Sequence, residues 1–443
     1  MEVTMSDAHG RETTLDLLQY IAASPTAAHA IETTRGRLDA AGFVELLEAD
    51  RWKLSAGDRF YVIRGHHALV AGVIGDAPPA EAGFRLAGAH TDAPGLRLKP
   101  NAHYAEKGYL QMGVEIYGGP LLGTWTDRDL TLAGKLFLRQ PGAPPRVRLV
   151  RLERPVCRIP QVAIHFNREV NTKGLILDKQ KHLPPIYGLG DEDALEAEPL
   201  LQFVAQEAQV AREEIVAADL EVIDTQPPVL GGLREELYFA PHIDNLAGSH
   251  AILESLRHST DGLPFTRAIA LFDSEEIGSQ TSAGAGSFFL DAVLERITSA
   301  TDASREAWHR ARARSVLISV DGAHAIHPNY ADVHDPHHQP HLNAGPVIKV
   351  NAQQRYATTP RSGHWFEHCA DRAGVPLQYY VQRTDLPCGS TIGPMTATRL
   401  GVPTIDVGNP MLSMHSIRET GGAEDQAMMI KILTEHFTAE ERR

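Results

Sequence analysis

The sequence predicts an α/β fold, a mostly parallel sheet with helices on both faces, interrupted by a β-rich insert. Three observations carry this. From about residue 236 short apolar strands alternate with polar loops and helix-like segments. Between about 100 and 235 the pattern becomes apolar–polar alternation broken by Gly and Pro clusters. Acids and histidines follow the strands of the first kind, and open α/β sheets bind their ligands outside the carboxyl ends of strands. The chain therefore divides into a discontinuous α/β domain, 1–99 and 236–443, and an inserted β-rich domain, 100–235.

In chain order, Ser24-Pro25 predicts an N-cap and first turn for a helix to about Gly42, with Ala27, Ala28, Ile31 and Leu38 at helical spacing. Short β-rich runs follow at 59–64, 68–74 and 84–89. In the insert, YLQMGVEIYGG, DLTLAGKLFLR and RVRLVRL alternate as antiparallel strands do, and 171–198 reads as a long exposed connection. Beyond 236 the strands are ELYFAP, RAIALFDS, SVLISVDG, GPVIKV, LQYYVQ and VPTIDVG. Each runs into a loop or helix-like segment.

Composition narrows the function. A formal charge of −14 over 443 residues offers no basic field for nucleic acid or an anionic membrane surface. No apolar run approaches the ~18 residues of a membrane helix. The opening MEVTMSDAHGRETT carries early acids and no apolar stretch, so no secretory signal is expected. Three scattered cysteines without a CxxC exclude a disulfide framework and a thiolate zinc knuckle, and point to a reducing cytoplasm.

The 22 histidines matter through their placement. FRLAGA runs into His90-Thr91-Asp92, ELYFAP into His242-Ile243-Asp244-Asn245, and RAIALF into Asp273-Ser274-Glu275-Glu276. SVLISV runs into Asp321-Gly322-Ala323-His324, and VPTIDVGNPMLSM into His415. Taken singly, such an acid is a helix N-cap and such a histidine a satisfied surface or core group. Together they place acids and imidazoles at one edge of the sheet. Carboxylates and imidazoles without thiolates suit Zn²⁺, Mn²⁺ or Co²⁺ in a hydrolytic site. Two histidines and three carboxylates are too many for one tetrahedral zinc, but they suit a pair of ions sharing a carboxylate. Neighbouring side chains of an extended segment point to opposite sides. On that reading one of Glu275 and Glu276 binds metal while the other acts as a general base. Asp92 points the same way as His90 and is expected to orient its imidazole.

These residues, in this order, resemble the M18 family of metallopeptidases, the aspartyl aminopeptidases. The segments that carry the resemblance are AGAHTDAPGLRLKP, AIHFNREVN, PHIDNLAGS, DSEEIGSQTSAGAGS, DGAHAIHPNY, GPVIKVNAQQRYAT, DLPCGSTIGP and MLSMHSIRE, spread over nearly the whole chain. The resemblance implies a zinc-exopeptidase-like α/β/α sandwich with an inserted dimerisation domain. It also implies two zinc ions per subunit and the release of N-terminal Asp or Glu from peptides by a metal-bound water. Carried over block by block, His90 and Asp321 hold one ion, Glu276 and His415 the other, Asp244 bridges them, and Glu275 is the general base. Lys349 would meet the substrate's acidic side chain, with His165 and His327 also binding substrate, His165 in a neighbouring subunit's site. The family further implies dimers assembled into a tetrahedral shell of twelve.

Other readings compete. One is an aminopeptidase or deacylase of the same fold with a different specificity; another is a non-catalytic relative that merely forms the shell. A serine hydrolase lacks its GxSxG elbow here, and a helix-borne zinc protease its HExxH. The histidine-rich HDPHHQPH (334–341) is expected to be a mobile or packed loop, and Cys388 a packed thiol.

Overall fold

The computed structural model describes residues 8–196, 198–259 and 261–439, so the first seven residues of the opening segment read for a signal lie outside the described residues, and the rest of it enters the helix Ala8–Ala23. The chain forms two compact units. One comprises residues 1–92, 228–414 and 419–443, the other residues 93–227 and 415–418. These boundaries replace the expected 99/100 and 235/236. The first strand of the inserted unit, Gly95–Glu106, already begins at 95, and the last, Ile215–Asp224, ends shortly before Pro227-Pro228. No described helix is long and apolar enough to cross a membrane.

The first unit is built on a nine-stranded sheet. Its spatial order is Val44–Glu45, Arg59–Arg64, Ala68–Val73, Thr266–Phe272, Phe84–His90, Val316–Val320, Thr404–Gly408, Val347–Val350 and Gln378–Val381. The central four from Thr266–Phe272 to Thr404–Gly408 run parallel. The strand Phe84–His90 is buried at every position, which its near-continuous apolar sequence requires of a strand covered on both faces. Alternate residues sort into two cores. Ala87, Ala89, Ile269 and Leu271 pack under the helices Ala8–Ala23, Ala27–Ala40, Ile243–Arg257, Pro360–Ala373 and Asp425–Thr438. Leu86, Ala268, Ala270 and Phe272 pack under Phe289–Ser299, Arg305–Ala313 and Ile392–Leu400. The result is a three-layer α/β/α sandwich.

Two local expectations are corrected. The second helix begins at Ala27 with Thr26 at its cap, because Ser24 lies in the turn after Ala8–Ala23, its N–H on the Ile21 carbonyl at 3.0 Å. ELYFAP does not enter the central sheet. As Leu237–Ala240 it pairs antiparallel with Glu419–Gly422 in a separate five-stranded sheet.

The second unit is a six-stranded antiparallel sheet, ordered Arg146–Arg151, Leu130–Leu138, Ile215–Asp224, Gly95–Glu106, Tyr109–Tyr117 and Ile186–Leu189. Its core gathers Leu96, Met112, Leu132, Leu136, Leu220 and Val222, with Leu200 and Val204 of the helix Pro199–Glu207. Ile417, on the returning segment, joins this core. The connection 171–198 is largely exposed, yet Leu183 is buried in the core and Ile186–Leu189 pairs as an edge strand.

Candidate metal centre

Three neighbouring parallel strands set the site. Phe272 stands opposite His90 in register, and Ser319 opposite Gly88, so the loops after Phe272, His90 and Val320 open side by side. Asp244 arrives from the smaller sheet, after Leu237–Ala240 and at the start of the helix Ile243–Arg257. Neither Asp244 nor Asn245 has helical torsions, and the peptide bond between them is cis. Three contacts tie this first turn down. The Asp244 N–H donates to Glu419 Oε2 at 3.0 Å, Asn245 Nδ2 donates to the Val320 carbonyl at 2.7 Å, and Ser249 Oγ donates to the His90 carbonyl at 2.8 Å. Gly248 lets the helix approach the strand end, since a Cβ there would lie 2.8 Å from the Val320 carbonyl oxygen.

The donor atoms of His90, Asp244 and Asp321 lie within 4.8 Å of one another, and all three residues are buried. His90 Nε2 is 3.3 Å from Asp244 Oδ1 and 3.9 Å from Asp321 Oδ2. His90, Glu275 and Glu276 form a second such group. The electrostatics follow from burying several carboxylates together. Burial pushes the Glu275 carboxyl up to about 9; His90 opposes this, while Asp321, Glu276 and Asp244 add to it. Burial likewise raises Asp321, with Lys349 opposing and Asp244 adding. Burial acts to lower the His90 imidazole, yet its hydrogen bonds to Asp244 and Asp92 hold it well above the ordinary histidine range. A buried surplus of negative charge, presented as oxygen and imidazole nitrogen donors without thiolate, fits zinc or a similar divalent ion.

Asp92 does more than face His90. His90 Nδ1 is nearer the Asp92 backbone carbonyl, at 3.0 Å, than its Oδ1, at 3.4 Å. The Asp92 carboxylate instead accepts the backbone N–H groups of Glu275 and Glu276, each at 3.1 Å. Those two glutamates do not lie on an extended segment. They open a single 3₁₀ turn, Glu275–Ile277, after Ser274 in the left-handed region, so both carboxylates reach the His90 side instead of diverging.

Lys349 is 2% exposed. Its Nζ donates to the carbonyls of Asp321 at 3.0 Å and Gly322 at 3.1 Å and lies 3.3 Å from Asp321 Oδ1. An ammonium has three donors, and all three point at the Asp321–Gly322 turn. His327 sits on the turn after the short strand Ala323–His324, outside the group round His90. Its N–H donates to His334 Nε2 at 3.3 Å and its ring meets Tyr330 edge-on. The rest of the histidine-rich stretch is held by local bonds: His338 Nδ1 to Asp335 at 2.8 Å and the His341 N–H to Gln378 Oε1 at 2.8 Å. Cys388 packs against Ala323, Val347, Tyr356 and Tyr380.

His415 and His165 belong to the second unit. The His415 Nδ1 lies 3.1 Å from the Gly119 carbonyl, a contact that selects the Nδ1–H tautomer and leaves Nε2 as the nitrogen with a lone pair. His165 is exposed on the loop after Pro160. Sequence reasoning missed the roles of Glu419 and of Lys349 as a clamp. Glu419 closes the MLSMHSIRE block, and an acid at that place was the available signal.

A further His and carboxylate group, Asp16, His250 and Glu254, lies elsewhere in the first unit. Arg37 bridges it, 2.7 Å from Asp16 and 2.8 Å from Glu254, which makes it an ion-pair network and not a metal seat.

A family model described as aminopeptidase I zinc metalloprotease (M18) matches residues 20–437. A probable M18 family aminopeptidase 2 of Streptomyces coelicolor is 44% identical over 94% of this chain and 96% of its own. A probable aspartyl aminopeptidase of Ricinus communis is 39% identical over 98% of this chain and 96% of its own. The solved mApe1 dodecamer of S. cerevesiae superposes with a TM-score of 0.84 at 30% identity, covering 97% of each chain. The chain accordingly belongs to the M18 family of zinc metalloproteases and is a metalloaminopeptidase.

Proposed function

We propose that this protein is a two-zinc aminopeptidase that releases N-terminal Asp or Glu from peptides. The observation that carries the metal reading is the buried convergence of His90, Asp244 and Asp321 beside Glu275 and Glu276. His90 and Asp321 would hold one ion, Glu276 and His415 the other, and Asp244 would serve both. Bound zinc supplies Lewis acidity, polarising the scissile carbonyl and easing deprotonation of water. Glu275 takes the proton of the attacking water and returns it to the leaving amine. Asp92 holds the backbone of the Glu275–Glu276 turn, so the base and its neighbouring ligand keep one geometry.

The acidic preference rests on Lys349 and on the name of the Ricinus communis relative. A substrate carboxylate would replace the Asp321 Oδ1 contact on Lys349, a charge-assisted exchange of about 1.5–3 kcal/mol. His165, from a neighbouring subunit, and His327 complete the substrate contacts. Self-assembly through the inserted unit into dimers and a dodecamer is proposed from the dodecameric relative, and residence in the cytoplasm from the scattered, unpaired cysteines. A second reading keeps the reaction and changes the specificity. It is favoured by one observation, that the donors of Lys349 already serve Asp321 and Gly322.

A panel of Asp-X, Glu-X, Leu-X and Lys-X peptides tests both, run before and after chelation with zinc restored. Release of Asp and Glu that chelation stops and zinc restores is the expected result. Chelator-sensitive release of Leu instead selects the second reading. No cleavage by zinc-loaded protein overturns both.

A further inference from the structure

At the end of the central sheet opposite His90 and Asp321 lies a cavity of about 70 Å³. It is formed where three parallel strands begin. Arg85 is the second residue of Phe84–His90, Arg314 and Ser315 precede Val316–Val320, and Pro403 precedes Thr404–Gly408. Arg361, Ser362 and Trp365 of the helix Pro360–Ala373 close it. Three arginines therefore line one small space, and among the described residues that line it there is no carboxylate. In a chain of formal charge −14 this is a local reversal of sign.

The arginines differ in a useful way. Arg85 is only 4% exposed, and its guanidinium lies 4.5 Å from the Phe265 ring centre and 5.0 Å from that of Trp365. Packing between two rings fixes its plane. Arg314 and Arg361 are exposed at the mouth and form no ion pair among the described residues. The helix terminus itself is already satisfied, since Thr359 and Ser362 cap each other, and Ser315 Oγ donates to the Ala311 carbonyl while accepting the Phe84 N–H. The recognition chemistry rests on the guanidinium groups. Their planar forks match the oxygen edges of phosphate, with one fixed from below and two free to close from above. A space of this size holds more than one water, enough for a single tetrahedral oxyanion.

We propose that this cavity is an oxyanion site that binds a single phosphate group, separate from the metal centre. The phosphate is either the free ion or the head of a small monoester. The site lies a strand length from His90, roughly 20 Å at the usual rise per residue.

The test is calorimetric titration of the full-length, zinc-loaded protein with inorganic phosphate at constant ionic strength, chloride being replaced in proportion. The expected result is phosphate binding that chloride does not reproduce and that Arg314→Gln/Arg361→Gln weakens at least ~10-fold. The same variant should keep its thermal midpoint in chloride, because both side chains are exposed. Should the double variant misfold, Arg314→Gln and Arg361→Gln are titrated singly, each expected to weaken binding. No phosphate binding by the parent at tens of millimolar overturns the proposal. Binding unchanged in the variants does so as well, since it places the anion at the metal centre. Repeating the titration with glycerol 3-phosphate separates the two sources. Tighter binding than inorganic phosphate identifies a monoester site, and weaker binding a free-ion site.

Discussion

Asp92→Asn isolates the link between the His90 loop and the Glu275–Glu276 turn. In the parent each carboxylate oxygen accepts one backbone N–H, from Glu275 and from Glu276, at 3.1 Å. The amide keeps the shape but offers one oxygen and one NH₂, so one of the two backbone donors faces another donor. Hydrogen bonds to a charged acceptor contribute about 1.5–3 kcal/mol, more so where the group is buried, as Asp92 is. Taking ~2 kcal/mol for the lost bond, and assigning it to the placement of Glu276, zinc affinity falls roughly 30-fold. That lies within the ~10–100-fold range for groups that position metal ligands. The measurement is zinc competition with a chromophoric chelator, together with kcat/KM on an Asp peptide. Denaturant unfolding of the metal-free variant serves as control. A variant that binds zinc as tightly as the parent and turns over normally would refute the positioning role. So would a loss of affinity fully accounted for by a smaller folded fraction.

Three other expectations follow from the same geometry. Glu275→Gln should retain zinc and lose roughly 10²–10⁴-fold in kcat, read by metal analysis and steady-state kinetics, and a kcat within tenfold of the parent rules out Glu275 as the base. Without metal, Glu275 titrates at about 9 and His90 well above its ordinary range, so both carry protons at pH 7. Zinc binding at neutral pH should release protons and tighten as pH rises; calorimetry in two buffers of different ionisation enthalpy that finds no net release would contradict this. His436 is buried with Nε2 on the Leu86 carbonyl and Trp365 Nε1 donating to Nδ1; burial and the nearby Arg85 lower it to about 3, against the Leu86 carbonyl. Its folded value lies below the unfolded ~6.5, so its contribution is full above that pH and is lost as pH falls toward 3, by up to about 5 kcal/mol. His436→Gln should flatten the acid dependence of urea unfolding between those limits, and an unchanged slope would refute the assignment.

Much of this was legible along the chain because it is local. Apolar runs became strands of the central sheet, so 59–64 emerged unchanged and 68–74 and 84–89 shifted by one residue at the end. Alternation marked the antiparallel sheet, and the order of His90, Asp244, Glu275, Glu276 and Asp321 marked the loops that meet at the candidate metal centre. Periodicity and residue type are properties of neighbours in sequence, and short-range sterics and burial read them directly. Partner choice is not local. The sequence of ELYFAP suits either sheet, and only pairing with Glu419–Gly422 put it in the smaller one. The turn at Ser274 depends on Asp92 holding two backbone N–H groups from nearly two hundred residues away. Lys349 was legible as a cation but not as a clamp, since two of its three acceptors are backbone oxygens of Asp321 and Gly322. Every residue carries the same carbonyl, so no pattern of side chains marks which one a lysine will find. The sequence by itself determined the donor set and the order in which the strands present it. The tertiary structure alone decided which strands stand together, and which backbone groups hold the donors at their distances.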